Sequence, residues 1–162
     1  MNTNSIQTRI SELFPDIVTQ IDQIFDFEKL ESYFQFLKDY NEIGGFFSKS
    51  DSENILDRHI VESVVHIYKI LLAHPVSHET RLVDIGTGPG LPGYIFYTLK
   101  NPPYITLIDS QMRRLGILEK ESIQPSEFST ILFGTTPLFT ESIDELVQEK
   151  QQLVEKINAH KR

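Results

Sequence analysis

Arg81-Leu82-Val83-Asp84-Ile85-Gly86-Thr87-Gly88-Pro89-Gly90-Leu91-Pro92-Gly93, followed by Tyr104-Ile105-Thr106-Leu107-Ile108-Asp109, is the stretch that decides the fold. Leu82 to Ile85 is a short apolar run ending in a glycine cluster, the pattern of a strand buried in a parallel sheet. Pro92 suits a first helical turn, where its missing N–H costs nothing, and a helix is expected from there to about Leu99. Asn101-Pro102-Pro103 stops it, and Tyr104 to Asp109 reads as a second strand. A further helix is expected from Gln111 to about Lys120. The strands and the helix between them have the ~30-residue size of a right-handed strand–helix–strand crossover.

The residues before this unit read as helical. Ile17, Ile21 and Ile24, then Phe27, Leu30, Phe34 and Leu37, recur at spacings of three and four. Pro15 separates a short leading helix from the next. Tyr40 to Asp51, centred on Gly44-Gly45, is expected to be a loop, and Ser50 with Glu53 has the spacing of a capping box. Leu56, Ile60, Val64, Ile67 and Leu71 form the stripe of the helix that follows, and Pro75 ends it. After Lys120 the pattern weakens: Thr130 to Phe133 suits one more strand, and Thr140 to about Ala159 an amphipathic helix. The expected organisation is a helical extension over residues 1–78 and an α/β core with a closing helix over 79–162.

Composition narrows the function classes. The chain has 162 residues, 40% of them hydrophobic, and no apolar run approaching a membrane span. Met1 to Ser5 carries neither the basic nor the apolar region of a signal peptide. It has no cysteine, which excludes disulfides, thiolate metal sites and a cysteine nucleophile. A cytoplasmic protein is expected. The formal charge of −8 weighs against holding bare nucleic acid by bulk electrostatics. An RNA partner would be met through a restricted surface, on a protein-rich particle.

The glycine cluster carries the chemistry. Glycines at alternate positions let the chain turn sharply and let a ligand lie on bare backbone at the carboxyl end of a strand. Asp109, 19 residues after Gly90, is placed to accept hydrogen bonds from both hydroxyls of a ribose. An adenosine-containing cofactor fits that combination. Gly88-Pro89-Gly90-Leu91-Pro92-Gly93 matches the dinucleotide pattern literally, which alone is weak. Asp84 and Gly86 shift the frame to Asp-x-Gly-x-Gly-x-Gly. A carboxylate at Asp84 is poor company for a pyrophosphate and a suitable partner for the ammonium end of S-adenosyl-L-methionine. The spacing therefore favours S-adenosylmethionine and leaves a dinucleotide open.

Asp84-Ile85-Gly86-Thr87-Gly88-Pro89-Gly90-Leu91-Pro92-Gly93, with Leu107-Ile108-Asp109-Ser110, resembles the glucose-inhibited division protein B family. Tyr40-Asn41 and Arg58-His59-Ile60 with Ser63 are similar to two further elements of that family, with Glu62 where it usually has aspartate. The resemblance covers about residues 25 to 120. It implies a class I S-adenosylmethionine-dependent methyltransferase, a Rossmann-like α/β fold with a seven-stranded, mostly parallel sheet and an N-terminal helical extension. It implies methylation of a guanine N7 in 16S ribosomal RNA, with the small ribosomal subunit as partner and neither metal nor membrane involved. Gly86 and Leu91 would contact the cofactor, Gly88 and Gly90 would shape the loop, and Asp109 would hold the ribose. No catalytic residue is assigned. The family's later elements, an adenine-contacting pair and a Ser-Arg-Ala-like segment, have no counterpart after Lys120. Either the chain is a truncated or internally deleted member, or these 162 residues omit segments that the molecule has.

Other residues carry weaker signals. Arg58 and His59 face either the substrate or the pocket rim, or else Arg58 pairs with Glu62 on the helix surface beside a partly buried His59. His66, His74 and His78 lack metal-ligand spacing. Arg113-Arg114 reads as solvated more readily than as a phosphate contact, and Phe46-Phe47 as a core anchor more readily than as a base stack. Two other functions stay open: a non-catalytic methyltransferase-like interaction module, and a nicotinamide oxidoreductase, for which no Tyr-x-x-x-Lys element is found.

Overall fold

A computed structural model describes residues 5–121 and 129–133. Its elements are helices α1 (Ser5–Leu13), α2 (Val18–Ile24), α3 (Phe27–Gly44) and α4 (Lys49–Ser52), a π-helical segment (Ile55–Val61) and helix α5 (Glu62–Ala73). Strand β1 (Arg81–Ile85), helix α6 (Gly93–Tyr97), strand β2 (Tyr104–Asp109), helix α7 (Met112–Glu121) and strand β3 (Ser129–Phe133) follow. The fold is α/β, with a helical first half and a parallel sheet of order β1-β2-β3 among the described residues. Arg81 pairs with Tyr104 and Ile85 with Ile108, so the tips of β1 and β2 end level. That register puts Gly86 and Asp109 side by side at the carboxyl edge, where open α/β sheets take ligands.

Sequence period accounts for the packing. Odd and even positions of β2 part cleanly: Ile105, Leu107 and Asp109 are buried toward the helices, and Tyr104, Thr106 and Ile108 are only half-buried. On β1, Leu82 and Asp84 face the helices, whereas Val83 and Ile85 are 49% and 41% exposed. The expectation of a strand buried on both faces is thus corrected. No described element covers the second face, and so short a run, apolar on both sides of Asp84, does not reveal which face is covered.

The helical half is stitched onto the sheet. Phe25 bridges Leu99, Asp26 N–H donates to Thr98 O at 2.8 Å, and Lys100 N–H donates to Ile24 O at 2.9 Å. Asp26 caps α3 by accepting from the N–H groups of Glu28 and Lys29. Along α3, Leu30, Tyr33, Phe36 and Leu37 are buried, while Phe34, expected on that face, is only partly so. Ile6 and Ile10 of α1 and Leu115 and Leu118 of α7 complete the core.

Several boundaries differ from expectation. The helix α3 continues through Tyr40 to Gly44, and the loop expected from Tyr40 begins only at Gly45, whose φ of +61° closes the helix. Asn41 accounts for the shape of that turn: its carbonyl accepts from Gly45 N–H at 2.8 Å and its side-chain oxygen from Phe47 N–H at 2.9 Å. Ser48, not Ser50, caps the next helix, accepting from Asp51 N–H. The stretch expected to be α-helical around Leu56 and Ile60 is π-helical, pinned from α1 by a two-pronged contact of Arg9 with Asp57 at 2.8 and 2.7 Å. The helix after the glycine cluster stops at Tyr97, not Leu99. The helix expected over 140–159 lies outside the described residues. Among the described residues, no helix is long and apolar enough to cross a membrane, and no group of three His, Asp or Glu is placed to hold a metal ion.

Candidate functional site

Glycine freedom is required at three positions of the loop joining β1 to α6. Gly86, Gly88 and Gly90 have φ of +80°, +60° and +111°, values that L side chains oppose. A chain bent this way needs anchors, and each comes from a named group. Gly86 N–H and Thr87 N–H both donate to Ile108 O, at 2.7 and 3.1 Å, which holds the loop to the tip of β2. Thr87 O accepts from the N–H groups of Gly90 and Leu91, at 3.0 and 2.8 Å, closing the turn. The Leu91–Pro92 peptide bond is cis.

The two carboxylates have separate positions. Asp84 Oδ2 accepts from Thr87 Oγ1 at 2.6 Å and from Gly93 N–H at 2.8 Å, so it spans the loop from its start to the first residue of α6. Its Oδ1 has no hydrogen bond among the described residues. Asp109, 7% exposed, accepts from Gly88 N–H on Oδ2 and from Gln111 N–H on Oδ1, both at 2.7 Å. A carboxylate has about four lone-pair sites, so each oxygen keeps one for a ligand hydroxyl. Gly86 is open above: a Cβ built there meets nothing within 4 Å. Gly88, Gly90 and Asp109 are buried beneath, while Leu91 is half-buried at the loop's exit.

Three helices support the loop from below. A Cβ on Gly90 would lie 3.0 Å from Tyr33 Oη, 3.1 Å from Leu118 Cδ2 and 3.1 Å from Tyr94 Cβ, on α3, α7 and α6 respectively. Tyr33 is wholly buried, stacks on Tyr94 with ring centroids 4.3 Å apart, and donates its hydroxyl to Pro89 O at 3.1 Å. Burial pushes the Tyr33 phenol well above its ordinary range, so it stays a donor. Sequence reasoning missed Tyr33. Its place three residues after Leu30 and four before Leu37 was the available signal. It also misjudged Arg114, whose guanidinium turns inward, with Nη1 3.8 Å from where a Cβ on Gly88 would be.

The sequence-predicted residues Asp84, Gly86, Gly88, Gly90, Leu91 and Asp109 therefore converge on one loop. Arg58 and His59 make no hydrogen bond or ring contact with it among the described residues. Arg58 is exposed, and His59 stacks on Phe47 at 4.3 Å with its Nε2 buried and unpartnered among the described residues. Burial lowers the His59 pKa, which favours the neutral ring. Phe46 is buried against Phe36, as a core anchor. A cavity of about 260 Å³ lies away from the loop, between Gln23, Leu71, Val76 and Lys100, and includes none of the predicted site residues.

Residues 26–127 match the family described as rRNA small subunit methyltransferase G, or GidB. The chain belongs to that family. Its similarity extends to two Leptospira proteins named ribosomal RNA small subunit methyltransferase G. One, from Leptospira biflexa serovar Patoc, is 46% identical over 121 residues, covering 75% of this chain and 49% of the relative. The other, from Leptospira interrogans serovar copenhageni, is 48% identical over 115 residues, covering 71% and 45%. A protein of the same name from Pectobacterium atrosepticum is 29% identical over 132 residues, 77% of this chain and 61% of that one. The chain spans about half the length of the first two relatives. The matched residues of this methyltransferase G family member run from the cap of α3 to beyond α7 and take in the whole glycine loop.

Proposed function

We propose that this chain carries the S-adenosyl-L-methionine cradle of a methyltransferase that modifies N7 of a guanine in 16S ribosomal RNA, within the small ribosomal subunit in the cytoplasm. One observation carries the reading: a loop bent on three positive-φ glycines lies between two strand-tip carboxylates, in a chain of the methyltransferase G family. Residues 1–78 serve as a helical extension and 79–162 as the cofactor core. The cofactor supplies a methyl group on a sulfonium centre. The chain's own residues hold and orient it. The open backbone of Gly86 and the side chain of Leu91 contact it, Gly88 and Gly90 shape the turn beneath, and Asp109 takes the ribose hydroxyls on its two remaining lone pairs. Asp84 braces the loop with Oδ2 and offers Oδ1 to an ammonium group. Alignment of guanine N7 with the methyl supplies much of the rate, with no covalent intermediate on the protein. Arg58 and His59 stand as RNA-facing candidates. The relatives named above are all methyltransferases by name, which favours this reading over a nicotinamide oxidoreductase or a binding-only module.

Isothermal titration of the full chain with S-adenosylhomocysteine, against NAD, tests it. Micromolar binding of S-adenosylhomocysteine alone, abolished by Asp109→Ala, is the expected result. Binding of NAD alone, or of neither ligand, refutes the cradle. Transfer of labelled methyl from S-adenosylmethionine to small ribosomal subunits then tests the reaction.

A further inference from the structure

Arg114 sits in the first turn of α7, next to Arg113, yet the two side chains differ: Arg114 is half-buried. Arg113 is exposed. Arg114 lies against Gly88, and its Nε is shut off from solvent with no hydrogen-bond partner among the described residues. No ion pair joins it to a described carboxylate. A guanidinium donor buried without an acceptor is costly, so the position calls for an acceptor that is not part of the described protein. The cradle's charge says which kind. Asp84 and Asp109 both present carboxylates to the loop. Those suit the cationic and hydroxyl groups of an amino-acid-bearing nucleoside and would repel its carboxylate. Arg114 is the basic side chain that the described residues place against the loop, and a guanidinium fork matches a carboxylate in shape.

We infer that Arg114 is a cofactor-binding residue whose guanidinium takes the α-carboxylate at the amino-acid end of the nucleoside cofactor, beside Gly88. This rests on the cofactor reading above. It assigns to α7 a share of ligand recognition additional to the glycine loop and Asp109. An RNA phosphate is the competing acceptor. A phosphate approaches from solvent and meets outward cations such as Arg113, whereas Arg114 is half-buried with its Nε closed off.

The test compares two ligands that differ in the amino-acid end. S-adenosylhomocysteine carries the α-carboxylate, and 5′-methylthioadenosine has the same nucleoside and thioether without it. Both are titrated calorimetrically into the full wild-type chain, Arg114→Gln and Arg114→Lys, with the melting temperature of each variant recorded. Arg114→Gln is expected to weaken S-adenosylhomocysteine about ten- to a hundredfold, the range for a charge-assisted hydrogen bond. Methylthioadenosine affinity stays unchanged, and Arg114→Lys recovers part of the loss. Equal weakening of both ligands makes Arg114 a purely structural support and overturns the inference. Unchanged affinity for both, with weaker binding of a small-subunit rRNA fragment, assigns it to a phosphate and also overturns it. If Arg114→Gln fails to fold, the ligand ratio of Arg114→Lys decides in the same way. A wild-type chain that binds neither ligand removes the cofactor reading and this inference together. A wild type that binds both with no change of ratio in the variants removes this inference alone.

Discussion

Replacing Gly90 by alanine tests whether the loop is as tightly built as its geometry indicates. The φ of +111° lies outside the small left-handed region open to L residues, and holding alanine there costs about 1–3 kcal/mol. The new Cβ meets Tyr33 Oη, Leu118 Cδ2 and Tyr94 Cβ at 3.0 to 3.1 Å, from three separate helices that cannot all withdraw together. Such overpacking costs about 1–3 kcal/mol more. Gly45→Ala is the internal control: its φ of +61° is also positive, but a Cβ there meets nothing within 4 Å. Its loss is about 1–2 kcal/mol of backbone strain, partly offset by the stiffer unfolded chain. The difference between the variants therefore reports mainly the crowding. At about 2–4 °C per kcal/mol for a chain of this size, Gly90→Ala melts roughly 2–12 °C below Gly45→Ala by circular dichroism. Tyr33→Phe removes one of the three obstructing atoms, so Gly90→Ala costs less in that background, as a double-mutant cycle reads directly. Equal melting temperatures for the two glycine variants, with no coupling to Tyr33, would refute the claim that α3, α6 and α7 jointly fix the loop.

Tyr33→Phe alone leaves Pro89 O without its buried donor and should cost about 1–2 kcal/mol in urea unfolding, with weaker S-adenosylhomocysteine binding by titration. Asp109→Asn turns one side-chain acceptor of a backbone N–H into a donor facing Gly88 N–H or Gln111 N–H; a loss of about 1–3 kcal/mol together with loss of cofactor affinity is expected from melts with and without ligand. The Arg9 guanidinium beside Asp57 holds that carboxyl below its usual range. Its folded pKa being depressed, the contribution is present above the unfolded carboxylate pKa and is lost as pH falls through the folded one. Wild type and Asp57→Asn should therefore differ at neutral pH and converge in acid, and the gap should shrink in high salt because both side chains are partly exposed.

Strand and crossover were legible because their signals are local: an apolar run, a glycine cluster, a proline stop and an acid at the next strand's tip. The helical first half was legible as a period but not in its boundaries. Gly44-Gly45 looks like a loop centre, yet only Gly45 leaves the helix, and the choice is made by Asn41, which satisfies the turn with both its carbonyl and its side chain. The π-helical segment left no trace, since one extra residue per turn keeps Ile55, Ile60 and Val61 inward while altering what lies between them. Arg113 and Arg114 are indistinguishable in sequence. One helical step of about 100° sends the first to solvent and the second to Gly88, and only packing against the loop decides which.

The division of labour between the two aspartates follows from the same geometry. A loop with three residues at positive φ springs open unless its ends are tied, and Asp84 ties both, to Thr87 and to Gly93. A Cβ on Gly93 would run into Leu107 Cδ2 and the Asp84 carboxylate itself, so glycine there is what lets Asp84 approach so closely. Asp84 is thus committed first to the protein and, in the proposed cradle, second to a ligand. Asp109 adds one tie, accepting from Gly88 N–H, to those that Ile108 O already makes with Gly86 and Thr87, and that bond orients the carboxylate toward the open side. Substitutions at the two positions should accordingly separate: those at Asp84 act on stability and affinity together, and those at Asp109 act disproportionately on affinity.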